Sequence, residues 1–63
     1  MKLNDLNKYD KAKIVKVSSQ RLRDIGIREG KILEVLSKSK TISLIKIDFC
    51  IFGINENIEV ERI

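Results

Sequence analysis

Two glycines four residues apart constrain this chain more than any other feature. They lie in the run Arg21-Leu22-Arg23-Asp24-Ile25-Gly26-Ile27-Arg28-Glu29-Gly30. Gly26 can adopt the left-handed backbone that ends a helix. Gly30 can make the tight turn into a strand that begins near Lys31. A short Arg-rich helical turn must therefore stop abruptly and hand over to β structure, and the rest of the fold has to accommodate that joint.

The residues on either side read as short strands. Lys13 to Val17 is β-branched and predicts strand one. Ser18 and Ser19 follow as N-cap candidates for a helix that runs to about Ile25. Leu22 and Ile25 lie three apart, so both are expected to face inward while Arg21, Arg23 and Asp24 face water. Lys31 to Ser37 predicts strand two, with Leu33 and Val35 on one face and Ile32, Glu34 and Leu36 on the other. After a polar loop over 37–40, Thr41 to Ile47 predicts strand three, with Ile45 and Ile47 opposite Ile42 and Leu44. Asp48 marks a turn, Phe49 to Phe52 a fourth strand, and Ile58 to Glu61 a fifth. Upstream, Leu3 and Leu6 are spaced to pack together on one helical turn, and Lys8 to Lys11 reads as a polar turn.

The fold class is therefore mostly β: a small SH3-like barrel of about five strands with one short helix, as a single domain over residues 1–63. Several strands are apolar on both faces, which suits a sheet curling to close on itself. An OB-fold is the competing barrel, but it needs more chain. A domain this short has a small core of Ile, Leu and Val and no staple to help it. The chain has one Cys and no His, which removes an internal disulfide and the usual ligands of structural zinc.

The charge is uneven. Residues 1–40 carry 11 Lys and Arg against 5 Asp and Glu, and residues 41–63 carry 2 against 4. A basic half suggests an acidic partner, or simply a solvated surface that keeps a small protein soluble. No apolar run is long enough for a membrane span, and the first residues contain no apolar segment of a signal peptide. The expectation is a cytoplasmic protein with no membrane insertion, and a single unpaired Cys fits a reducing compartment.

Catalysis has little to draw on, so the chain is read as a non-enzyme. There is no His, no Ser in a nucleophile-elbow context and no paired carboxylates. Cys50 lies in an apolar strand and is expected to be a buried small hydrophobe. With Asp48 it supplies two metal ligands at most, too few for a primary site, so no metal residue and no cofactor is assigned. Arg21, Arg23 and Arg28 form the sharpest basic cluster. They are either a docking face for carboxylate or phosphate groups or a solvated helix surface. Ile27, in the same joint, is expected in the core. With Tyr9, Phe49 and Phe52 as the only aromatics, base stacking is poorly served and nucleic acid is disfavoured as a partner.

The order of these motifs resembles a known family. Leu3-x-x-Leu6, Ala12-x-Ile14-x-x-Val17 and Arg21-Leu22-x-Asp24-Ile25-Gly26-Ile27-x-x-Gly30-x-x-x-x-Val35 look like ferrous iron transport protein A, FeoA. The same SH3-like module occurs at the C-terminus of iron-dependent repressors. Glu29 stands where the family usually has Pro, Asp10 where it often has Gly, and the C-terminal segment is shorter.

The resemblance implies a cytosolic accessory of ferrous iron uptake, docking on the cytoplasmic, nucleotide-binding domain of the membrane ferrous iron permease and modulating transport. The implied partner-binding residues are Arg21, Leu22, Arg23, Ile25, Gly26, Ile27, Arg28 and Gly30. Two alternatives stay open: a regulatory domain related to metal-dependent repressors, and a basic RNA-binding barrel. Homodimer formation through an edge strand is a further expectation, with Ile58 to Ile63 as the candidate edge.

Overall fold

Strands form where apolar residues alternate or cluster between turn residues. The computed structural model describes residues 1–63. Its strands are β1 (Lys11–Lys16), β2 (Ile32–Lys38), β3 (Ser43–Ile47), β4 (Cys50–Ile54) and β5 (Glu59–Arg62). One helix, α1 (Gln20–Asp24), joins β1 to β2, and a 3-10 turn at Leu3–Asp5 precedes β1. The mostly β expectation holds, with strand ends displaced by one or two residues.

All pairings are antiparallel, in the order β4-β3-β2-β1-β5. β4 and β5 are the two edges and share no ladder. The barrel is thus open: a curled SH3-like sheet, not a hydrogen-bonded ring. Bulges bend it, between Val35 and Ser37 in the β2–β3 ladder and between Ile14 and Lys16 in the β1–β5 ladder. The molecule measures 24 × 23 × 22 Å, so the sheet wraps and does not lie flat.

The concave face holds one core of 14 apolar residues. Leu33 and Val35 of β2 meet Ile45 and Ile47 of β3, as their alternation predicts. Ala12, Ile14, Ile54 and Val60 complete the strand contribution, and Leu3 and Leu6 enter from the N-terminal turn. The second apolar face, expected to drive closure, is not packed: Ile32, Ile42, Leu44 and Ile51 are exposed. A chain this short has no second layer to cover them.

The two edges differ. Residues 1–3 run along the outer edge of β5. The Leu3 amide donates to Ile58 O at 2.9 Å and the Val60 amide to Met1 O at 2.7 Å, while the Met1 ammonium donates to Val60 O at 3.1 Å. Lys2 Nζ adds an ion pair with Glu59 at 2.9 Å, which holds the Glu59 carboxyl below its ordinary range. The edge proposed by the sequence, Ile58 to Ile63, is therefore covered over its first half by the chain itself. β4 has no such cover.

Two non-glycine residues take left-handed backbone. Asp48 (φ 57°) opens the two-residue loop between β3 and β4. Tyr9 (φ 72°) sits in the turn closed by the Asp10 amide on Asn7 O at 3.0 Å, just before the position where the resembled family often has Gly.

The register can be checked on neighbouring residues of β2. Leu33→Ala should lower unfolding free energy by about 2–5 kcal/mol. Ile32→Ala, on the exposed face, should change it by less than about 0.5 kcal/mol. Urea denaturation followed by far-ultraviolet circular dichroism measures both.

Candidate docking surface

The joint predicted at Gly26 is a complete Schellman cap. Ser19 opens α1, its Oγ accepting from the Leu22 amide at 3.4 Å. At the other end the Gly26 amide donates to Arg23 O at 3.2 Å and the Ile27 amide to Leu22 O at 2.9 Å. Gly26 has φ 104°. Leu22 and Ile27, the pair this motif brings together, are both fully buried. Ile25 is not. The helix is only five residues long, and its C-cap position turns Ile25 outward, 46% exposed, against the inward expectation.

Gly30 (φ 89°) is the third residue of a second turn, closed by the Lys31 amide on Arg28 O at 3.3 Å. That is the geometry of a type II turn, whose second position favours Pro. Here the position belongs to Glu29, which fixes the turn through its side chain. Its carboxylate accepts from the Val17 amide at 3.0 Å and from Arg23 Nη1 at 2.6 and 2.7 Å. One side chain thus ties the residue after β1, the helix and the turn together. The amide of Val17, the amide of Glu29 itself and the Arg23 guanidinium hold the Glu29 carboxyl at about 2, against an ordinary 4.5. The turn is also bonded to the sheet, with the Gly30 amide on Ile14 O at 2.9 Å and the Ile14 amide on Lys31 O at 2.8 Å.

The three arginines have different surroundings. Arg21 pairs with Glu56, which also accepts from Ser19 Oγ at 3.1 Å. Arg23 is held by Glu29. Arg28 donates from Nε to Arg23 O at 3.0 Å and has no carboxylate partner. Ile25, Gly26 and Arg28 face Ile47, Asp48, Cys50 and Phe52 across an open cleft of about 280 Å³. Lys31 closes one end, paired to Asp48 at 3.2 Å.

Of the residues singled out in the sequence, then, Ile25, Gly26, Arg28 and Gly30 form a surface. Leu22 and Ile27 support it from the core. Arg21 and Arg23 brace it from the sides.

Cys50 departs from its expected burial. It lies on the concave side of β4, at the bare edge, and is exposed. The sequence assigned no site role to Glu29, Glu56 or Phe52. Glu29 had a signal, since it stands in a Gly turn where Pro is usual. Glu56 had none, because its partners lie more than thirty residues away. No three Cys, Asp or Glu side chains gather closely enough to hold a metal ion.

A curled sheet of five antiparallel strands with a glycine-capped helical turn between the first two defines a small SH3-like domain. Residues 1–62 match the FeoA domain, and this chain belongs to the FeoA family. No curated protein and no solved structure matches it significantly. Family membership implies a role in ferrous iron transport.

Gly26→Ala tests the joint. Nothing lies within 4 Å of the added Cβ, so the cost is backbone strain alone. A loss of about 1–2 kcal/mol is expected in urea denaturation. Glu29 gives a pH signature. Its folded pKa is depressed, so its contribution is complete above about 4.5 and is lost as the pH falls toward about 2. Thermal melts across that window should show wild type losing stability more steeply than Glu29→Gln.

Proposed function

We propose that this chain is a non-catalytic, cytosolic accessory of ferrous iron uptake. It docks on the cytoplasmic, nucleotide-binding domain of the membrane ferrous iron permease and modulates transport. The observation that carries this reading is Arg28. It is the one arginine of the joint without a carboxylate partner, and it stands beside exposed Ile25 over an apolar cleft. An unpaired guanidinium next to an apolar anchor suits a partner face that presents a carboxylate beside an apolar side chain.

The joint is suited to this task because it is held before any partner arrives. The Schellman cap, the Glu29 clamp and the bonds to Ile14 fix Ile25, Gly26 and Arg28 relative to the sheet. Little ordering then remains to be done on binding. Arg21 and Arg23, already neutralised by Glu56 and Glu29, shape the surface, and Arg28 steers the encounter. No helix of the chain is long and apolar enough to cross a membrane. A membrane location would come from the partner.

The test is an NMR titration of labelled protein with the permease's soluble cytoplasmic domain, with and without nucleotide. Shifts should cluster at Ile25, Gly26, Arg28 and the facing residues of β4, and weaken as salt rises. Arg28→Glu should reduce affinity at least about tenfold. Lys40→Glu, in the β2–β3 loop outside the cleft, should have far less effect. Absence of shifts in both nucleotide states sinks docking on this partner. Steeply salt-dependent shifts with unrelated nucleic acids would replace it with the RNA-binding reading.

A further inference from the structure

The sheet covers one of its edges and leaves the other ready to pair. Sheets usually blunt an open edge with charge, Pro, a bulge or a covering segment. β5 has both Glu59 and Glu61 and the strap of residues 1–3. β4 has no charge, no Pro, no bulge and no hydrogen-bonded strap, and the joint residues Ile25, Gly26 and Arg28 stand off from it across the open cleft. Residues 49–55, Phe-Cys-Ile-Phe-Gly-Ile-Asn, carry no charge and no Pro, and the β3–β4 ladder runs without a bulge from Ile47↔Cys50 to Ser43↔Ile54. We infer that β4 pairs antiparallel with β4 of a second copy of this chain, forming a two-fold dimer centred on Phe52.

The pairing pattern limits the register to axes that oppose outward residues, and the missing side chain of Gly53 favours the axis at Phe52. A two-residue loop makes Ile47 and Cys50 the closing hydrogen-bonded pair. Alternation then aims the backbone groups of Cys50, Phe52 and Ile54 at β3, and those of Ile51 and Gly53 outward. With Phe52 on the two-fold axis, Ile51 of each copy exchanges both bonds with Gly53 of the other. Gly53 has no side chain to obstruct the approach. A Cβ there would lie 3.4 Å from Leu44 and 3.6 Å from Ile42. Ile51 of the second copy, 63% exposed in the monomer, therefore extends the exposed Ile42–Leu44 surface. Shifting by one residue would set outward groups against inward ones and end the ladder.

The occupant follows from charge. A strand with no charge gives an acidic or basic partner nothing to select, whereas a two-fold pair requires only that the strand tolerate itself. Of the positive side chains near the strand, Lys46 lies one strand back, on β3, Lys31 is neutralised by Asp48, and Arg28 faces Cys50 and Phe52 from across the cleft, bonded to Arg23 O. This dimer does not depend on the docking reading, and it is observed with the protein alone.

Sedimentation equilibrium from micromolar to millimolar protein is the test. A monomer–dimer equilibrium is expected. Ile51→Lys places a charge on the bare edge at an exposed site. It should remain monomeric with an unchanged circular dichroism spectrum. A monomer at millimolar wild-type concentration overturns the inference, and so does undiminished dimerisation of Ile51→Lys. Oxidative cross-linking then tests the register. Cys50→Ser combined with Phe52→Cys brings two thiols together across the axis in a non-hydrogen-bonded pair, about 4.5 Å between Cα atoms, which a disulfide can span. That variant should form a covalent dimer, and a dimer that fails to cross-link overturns the register.

Discussion

Leu22 and Ile27 enter the core from the two sides of one left-handed glycine, and the surface around them follows from that insertion. Burying both side chains forces the helix to end at once, because five residues of chain must also turn Ile25 outward and deliver Arg28 to the surface. The Schellman bonds make this inexpensive, since they satisfy carbonyls that a helix end would leave free. A core of 14 residues has little to spare. Loosening either anchor loosens the exposed joint with it, so folding stability and the presentation of the proposed docking residues are coupled.

Glu29 shows how a local constraint can be replaced by one of another kind. A Pro at the second position of a type II turn restricts the backbone by its ring. Here a carboxylate does so from outside, by holding the Val17 amide and the Arg23 guanidinium. The ring would act at any pH. The carboxylate acts only while ionised, and it also couples the turn to the helix and to the end of β1. The joint is thereby tied across three segments and not stiffened only within one.

Local features of the fold were legible in the sequence. The alternation of Leu33 and Val35 against Ile32 gave the buried face of β2, Ser19 the helix start and Gly26 its end. Each is decided within a few residues by backbone preference and side-chain period. What escaped was decided at a distance. Ile25 reads as core by spacing from Leu22, but the helix ends at Asp24 and its C-cap position turns Ile25 out. Cys50 reads as buried because its neighbours are apolar, yet it sits where the sheet stops and no strand lies beyond. The sorting of the three arginines depends partly on Glu56, and the covering of β5 depends on residues almost a full chain length away. Local pattern carries no information on either.

The turn at Tyr9 has an optical consequence. The chain has no Trp and a single Tyr, and that Tyr lies 65% exposed on a left-handed residue outside the core. Lys8 sits over its ring, 5.1 Å from the centroid. Tyrosine absorbance and emission from this protein therefore come from a solvated phenol that folding scarcely desolvates. They report the state of one surface turn, while the packing of the aliphatic core passes through them unseen.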